Sequence, residues 1–243
     1  MQTFAYDLHL HSCLSPCADE DMTPRNMAGM AHLAELRIVA LTDHNSCKNC
    51  PAFFAACADF DLVPIAGMEL TTAEDIHMVC LFPTLAAAMD FDAVLQEHRM
   101  QLPNRSEIFG EQPIYDAEDR VVGADPWFLP AATGLGLNAA VVLVAAHGGI
   151  CYPAHIDREG NGILAILGGF PKTPSFATAE VKDERQADLA GKRLTLCCSD
   201  AHHLWEIGGR EQEIALPIER DAAAVDIRKA LFEKLLGGRS QES

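Results

Sequence analysis

Most of the ten histidines in this chain stand in short polar clusters, each following an apolar run. The first cluster is Asp7-Leu8-His9-Leu10-His11. If Phe4–His11 is a strand, its side-chain period of two puts His9 and His11 on one face, about 6–7 Å apart. Two neutral imidazoles so placed can share a divalent ion. Alone, a His-x-His pair is a weak signal. The pattern recurs, however, in Thr42-Asp43-His44, in Gly67-Met68-Glu69, at His77, in Tyr152-Pro153-Ala154-His155 with Asp157 close behind, and in Ser199-Asp200-Ala201-His202. Imidazoles and carboxylates together suit Zn, Mn or Fe(II), and carboxylates can bridge two ions, so the set points to a polynuclear metal site. Clustered divalent ions lower the pKa of a bridging water to roughly 7, so a hydrolase built on them requires no Ser or Cys nucleophile. Asp43 and Asp157 are the candidate general acids. Arg158 offers a planar fork for substrate phosphate, and His203 a side chain that could orient substrate. His32, His98 and His147 fall in helical stretches away from the clusters and carry no such expectation.

Those residues need elements to hold them. Strand-like runs at Phe4–His11, Arg37–Thr42, Leu62–Leu70, His77–Phe82, Ile150–Ala154, Thr178–Lys182 and Arg193–Cys198 alternate with helical runs. The helices are expected from Thr23-Pro24 to about Leu36, over Pro51–Phe60, Leu85–Arg99 and Leu137–His147, and over Asp221–Leu236, with Thr23 as N-cap and Gly148-Gly149 as a stop. Ile214–Pro217 is a further possible strand. Alternation of this kind implies parallel strands with right-handed crossovers, and about seven of them favour an α/β barrel whose chemistry gathers at the carboxyl ends of the strands. The stretch 101–135, rich in Pro and Gly with a possible hairpin over Tyr115–Val121, reads as an insertion or lid on a single domain spanning 1–243.

The chain is long enough for one sizeable core. No apolar run reaches the roughly 18 residues needed to span a bilayer, so no membrane association is expected. Met1–Tyr6 lacks the features of a secretion signal, which makes a cytoplasmic location the expectation. Net charge is −17, from 35 acidic and 18 basic residues. That argues against binding of long duplex nucleic acid, which relies on Lys and Arg neutralising phosphates. Nine cysteines suggest reduced thiols rather than disulfides. Cys13 with Cys17, and Cys47 with Cys50, follow the first and second clusters; they would be a closed zinc site, a redox-sensitive pair or loose packing thiols.

Taken together and in this order, His9-Leu10-His11, Thr42-Asp43-His44, Gly67-Met68-Glu69, Tyr152-Pro153-Ala154-His155 and Ser199-Asp200-Ala201-His202 resemble the PHP family, named for polymerase and histidinol phosphatase. The resemblance runs from residue 4 to about 205. It implies a distorted seven-stranded (β/α) barrel with a trinuclear centre that hydrolyses phosphoesters. It also implies the ligand set: His9 and His11 with Asp200 on one ion, Glu69 bridging to a second completed by His77 and His155, and His44 with His202 on a third. The third ion takes a loop carboxylate in the family; the loop here is about three residues longer, and Asp19 is preferred to Cys17. Asp43 matches an acidic position that supports its neighbour His44.

The expected function is therefore that of a metal-dependent phosphoesterase holding up to three Zn, Mn or Fe ions. It would act on small phosphorylated metabolites, nucleotides or short oligonucleotide ends. Two other classes compete: a non-catalytic metal-binding regulatory domain, which would lack ligands, and an amidohydrolase-like C–N hydrolase. The latter favours a lysine at a strand end, where Lys182 is the nearest approach.

Overall fold

The computed structural model describes residues 1–208 and 212–237; the last six residues of the expected domain lie outside them. The chain opens with β1 (Gln2–Leu10), then α1 (Pro24–Leu33). Thr23, in extended conformation, caps α1 by accepting the Asn26 N–H, and Pro24 takes a first-turn position where its missing N–H costs nothing. Next come β2 (Ile38–Leu41), α2 (Cys50–Asp59), β3 (Val63–Thr71), β4 (His77–Phe82) and α3 (Leu85–Leu95). The segment after α3 contains the short α4 (Ser106–Phe109) and a hairpin of β5 (Pro113–Tyr115) and β6 (Val121–Ala124). Then follow α5 (Leu137–Ala146), β7 (Ile150–Pro153), α6 (Ile163–Leu167), β8 (Thr178–Val181), β9 (Leu194–Cys197), β10 (Glu213–Leu216) and α7 (Ala224–Leu235). Gly148 ends α5 at φ +70°, a conformation glycine adopts without penalty.

Six strands form one mixed, curled sheet in the order β10-β1-β2-β3-β4-β7, a half-barrel. β1, β2 and β3 are parallel, whereas β4 runs antiparallel to both β3 and β7. The expected seven-stranded parallel barrel is thus corrected. The 72–76 connection is too short for the crossover a parallel β3–β4 pair would require, so the chain folds back as a hairpin. Among the described residues β8 and β9 pair only with each other, in parallel. A single bridge, Leu10–Ala201, links the end of β1 to the chain beyond β9. β10 is antiparallel to the start of β1.

The two faces of the sheet are filled differently. One carries Phe4, Tyr6, Leu8, Ile38, Ile65 and Leu81 and packs against Ile227, Leu231 and Leu235 of α7. The other carries Val39, Leu41, Met68 and Cys80 and receives Met27 of α1, Phe53 of α2, Phe91 of α3 and Val144 of α5. Strict alternation would put Leu8 and Leu10 on one face, yet Leu10 belongs to the second set. An irregularity between Asp7 and Leu10 in the β1–β2 register switches the parity, as a bulge does. That switch is what turns His9 and His11 toward Glu69.

Several ties hold the 101–135 segment, three of them reaching the loop after β2. Arg99 grips Asp125 with two hydrogen bonds of 2.8 and 3.2 Å, and Lys48 reaches the same carboxylate at 2.6 Å. The Asn45 amide donates to the carbonyls of Leu129 and Ala131. The Asn49 side chain donates to Pro113 O and accepts from Tyr115 N–H. Lys48, Asn45 and Asn49 all belong to the loop after β2, the loop that carries His44. No helix among the described residues is long and apolar enough to cross a membrane.

Candidate metal centre

The carboxyl ends of β1, β2 and β3, the start of β4, and the turns after β7 and β9 converge on Glu69, which is 1% exposed. Glu69 Oε1 lies 2.8 Å from His77 Nδ1, 2.9 Å from His155 Nε2 and 3.5 Å from His9 Nε2. Its Oε2 lies 3.1 Å from His44 Nδ1 and 3.3 Å from His11 Nε2. Asp200 Oδ1 completes the other side, 3.5 and 3.3 Å from Nε2 of His9 and His11. The His202 ring stacks on His11 with centroids 4.4 Å apart. Eight of the nine expected ligands are thereby in one cluster. Within it, His9/His11/Glu69, His44/Glu69/His77 and His11/His44/His202 each present donor atoms within 4.8 Å of one another.

This donor set fits divalent ions better than it fits itself. His9 Nε2 and His11 Nε2 face each other at 3.1 Å, a contact that needs a shared proton or a shared cation. Nδ1 of His44 and of His77 are close to Glu69 but make no hydrogen bond in acceptable geometry, and Nδ1 of His155 has no partner; all three are buried. Burial by itself would make His9 easier to deprotonate, but Glu180, Glu69 and Asp200 outweigh it and hold its pKa well above the usual value. Burial opposes His11 and His44 too. Hydrogen bonds to Asp200 and Glu69 raise His11 to about 9, while the Glu69 charge and a hydrogen bond with the Cys17 thiol raise His44 to about 9. Conversely, His202 is pushed down to about 3, by burial and then by the nearby His11. Against burial, the surrounding imidazoles keep the Glu69 and Asp200 carboxyls well below the ordinary range. Buried carboxylates facing several imidazoles favour positive charge between them, as a set of metal ligands does.

Two ligand positions sit on unusual backbone. His155 has φ +26° and Asp200 φ +51°, a region that non-glycine residues rarely occupy. Such conformations persist only where surrounding contacts over-determine them.

Behind the cluster lie groups that aim its members. Glu180, on β8, accepts from His9 Nδ1 at 2.9 and 3.1 Å and from the His155 amide at 3.3 Å. This residue was not among those the sequence reading singled out. Its signal was a carboxylate in the middle of the short run Thr178-Ala179-Glu180-Val181, where burial is costly without a partner. Asp43 is equally buried: its oxygens accept from Ser12 N–H and both Ser12 and Ser15 hydroxyls at 2.7 Å each. Ser15 Oγ in turn lies 3.1 Å from His11 Nδ1 and accepts the His44 amide. Asp43 therefore acts on His11 and His44 through Ser15.

Several expected placements need correction. Asp43, at 1% exposure, has no access to substrate and is not a general acid. Asp157, half-buried, accepts the amides of Lys182 and Asp183 at 2.8 Å each and holds the end of β8 to the loop after β7, a structural engagement the sequence did not show. The Asp19 carboxylate lies outside the cluster, 3.2 Å from His203 Nδ1. The longer loop turns so that the Asp19 amide donates to His202 O while Cys17 is the residue meeting His44. His203 is thus engaged with Asp19. Arg158 reaches Asp200 Oδ2 at 3.1 Å, and Lys182 reaches the same oxygen at 3.2 Å, both partly exposed at the rim. The nine cysteines form no disulfide, and among the described residues no group of three or more candidate metal donors includes a cysteine. Cys47 and Cys50 both turn their sulfurs to Gly67 O, at 3.2 and 3.6 Å, as packing thiols do.

A curled α/β half-barrel carrying His, Asp and Glu at its strand ends is the fold of a class of metal-dependent hydrolases. The PHP domain family model matches residues 7–145, and the chain belongs to that family. No curated protein matches it in sequence. Among solved structures, the lesion-specific endonuclease Q of Pyrococcus furiosus aligns over 99% of this chain and 57% of its own, at 17% identity and TM-score 0.64. This chain thus spans little more than half of that protein's length. A Bifidobacterium adolescentis protein assigned as a metal-dependent phosphoesterase aligns over 81% of this chain and 87% of its own, with 18% identity and TM-score 0.52. A Chromobacterium violaceum amidohydrolase with bound sulfate aligns over 88% and 92%, with 19% identity and TM-score 0.56. Identities this low establish shared fold. Endonuclease Q has also been solved with a 27-mer duplex substrate bearing an abasic lesion at the active site, aligning over 99% of this chain. The expectation that excluded duplex nucleic acid is therefore withdrawn. Net charge averages over a whole surface, whereas recognition at a metal site depends on the local field, which bound cations invert.

Proposed function

We propose that this protein is a metal-dependent phosphoesterase acting on phosphomonoesters or phosphodiesters of small metabolites, nucleotides or oligonucleotides. The observation that carries the reading is the Glu69 carboxylate, within 3.5 Å of five imidazoles and facing Asp200 across His9 and His11. His9, His11, His44, Glu69, His77, His155, Asp200 and His202 would hold two or three Zn, Mn or Fe ions. Those ions supply charge neutralisation at the phosphoryl oxygens and an activated water at neutral pH. The chain's own contribution is orientation. Glu180 fixes His9 with its Nδ1 bonded and Nε2 free, and Ser15 does the same for His11. At the rim, Arg158 and Lys182 share Asp200 Oδ2 and are placed to bind a substrate phosphate once that oxygen is engaged elsewhere. The 101–135 segment, anchored to the loop of His44, would border the entrance as an insertion or lid on one domain. Lys182 Nζ meets the outer oxygen of Asp200 and not the cluster's bridging position, which speaks against a bridging lysine of the amidohydrolase kind. Eight filled ligand positions speak against a degenerate regulatory domain.

The test is elemental analysis of the purified protein combined with a phosphoester panel in Mn, Zn and Fe. At least two ions per chain and metal-dependent ester cleavage, read as phosphate from monoesters or the freed alcohol from diesters, are expected, both abolished by His9→Ala or Asp200→Ala with the far-UV circular dichroism retained. Fewer than two ions and no release from any ester would sink the reading.

A further inference from the structure

The loop after β9 carries an aromatic feature that metal binding does not use. His203 and Trp205 stack face to face, with ring centroids 4.1 Å apart and planes 9° from parallel. The lower ring is fixed. His203 Nδ1 is 3.2 Å from Asp19 Oδ2, and the amides of His202 and His203 donate to Glu206 Oε2 at 2.8 and 3.1 Å. The Asp19 amide donates to His202 O, so the loops after β1 and β9 are stitched together beneath the stack. His202, the residue next to the stack, is itself stacked on His11 inside the cluster.

Trp205 nevertheless keeps 70% of its surface exposed with one face already covered, which leaves its other face open. The next most exposed aromatic, Phe109, keeps 38%. An indole left in water forgoes the stabilisation its burial would give. Among the described residues its chain neighbours Leu204 and Ile207 are partly or fully buried, so they add little apolar surface beside the ring for a protein partner to cover. A net charge of −17 disfavours an anionic membrane surface. What remains is a planar group of about one ring's size.

We infer that the His203–Trp205 stack is the platform on which the base of a nucleobase-bearing phosphoester rests while its phosphoryl group enters the metal centre. This inference depends on the phosphoesterase reading above for the fate of the phosphate. The platform is assembled before substrate arrives, so little freedom is lost on binding. Stacking on an aromatic side chain accepts any base, because every base has a π-face.

Adenosine 5′-monophosphate and ribose 5-phosphate present the same ester with and without a base, and their hydrolysis is to be compared in the wild type, Trp205→Ala and Trp205→Phe. In Trp205→Ala the ratio of kcat/KM for the two substrates should fall about 5- to 150-fold, through KM, the range that base–aromatic stacking supplies. Trp205→Phe should restore most of it. An unchanged ratio in Trp205→Ala overturns the inference. If the wild type hydrolyses neither ester, that result bears on the monoester reading alone, and binding decides the platform. With Trp127→Phe, Trp205 is the remaining tryptophan, and adenosine 5′-monophosphate should quench its emission where ribose 5-phosphate does not. Equal or absent quenching overturns the platform.

Discussion

Glu180 offers the sharpest handle on the site, because it touches no substrate and would touch no metal. Its carboxylate accepts from His9 Nδ1 at 2.9 and 3.1 Å and from the His155 amide at 3.3 Å, all in the dry interior. Glu180→Gln keeps the shape and one acceptor oxygen but removes the charge, and a charge-assisted bond is roughly twice as strong as a neutral one. Glu180→Ala also leaves two buried donors unpaired, at about 1–3 kcal/mol each. Losing such an outer partner of a ligand histidine weakens metal affinity about 10- to 100-fold, or about 1.4–2.8 kcal/mol. We expect Glu180→Gln at the low end and Glu180→Ala at the high end. The deficit should also depend on pH. Glu180 favours protonated His9 as well as metal-bound His9, so in the wild type protons compete harder with the metal. Its loss relieves that competition, which partly masks the defect at low pH; the deficit should widen from pH 6.5 to 8.5. Competition titration of Zn or Mn against a chelator at both pH values measures this. Affinity for Glu180→Ala within twofold of wild type at pH 8.5, in a folded protein, would refute the orienting role.

Two further outcomes follow from geometry and charge. Gly67→Ala places a Cβ against the Cys80 carbonyl and 2.8 Å from Leu81 Cδ2, two residues from Glu69. It should cost about 1–3 kcal/mol in urea unfolding and lower metal occupancy together, through a shifted β3–β4 register. In metal-free protein, His11 and His44 have folded pKa values of about 9, raised from 6.5. Their contribution to stability is full below about pH 6.5 and is lost as pH rises through 9; metal affinity should rise over that same window, with proton release detectable by titration calorimetry in buffers of different ionisation enthalpy.

That the histidines and carboxylates gather at the strand ends was legible because a strand allows its side chains only two directions. Once His9 and His11 share a face, the same reasoning places Glu69, His44 and His155 at neighbouring strand ends. His77 required the direction of its strand, and that too was encoded: the 72–76 connection can only make a hairpin, which brings the start of β4 level with the end of β3. The parallel-barrel expectation overlooked that length. Asp19 was not legible. Its loop follows a path set by backbone hydrogen bonds, Ala18 to Ser15 and Asp19 to His202, which no spacing rule encodes. Asp43 and Asp157 carried the right chemistry for an acid but lie where neighbouring hydroxyls and amides saturate them, a property of packing. Glu180 was overlooked because a single acid in a four-residue strand resembles an exposed one until its face is known.

The pairing of β10 with β1 bears on how the protein folds. Gln2 meets Leu216 across that ladder, and His9 meets Asp200 across the cluster, so the centre closes only when remote parts of the chain have come together. Contacts so distant in sequence form slowly, since the intervening chain must first lose its freedom. Where the cluster closes only after the folding transition state, its contacts bear on the unfolding rate and not on the folding rate. Metal captured there would act as a latch, slowing escape from the native state without hastening arrival at it.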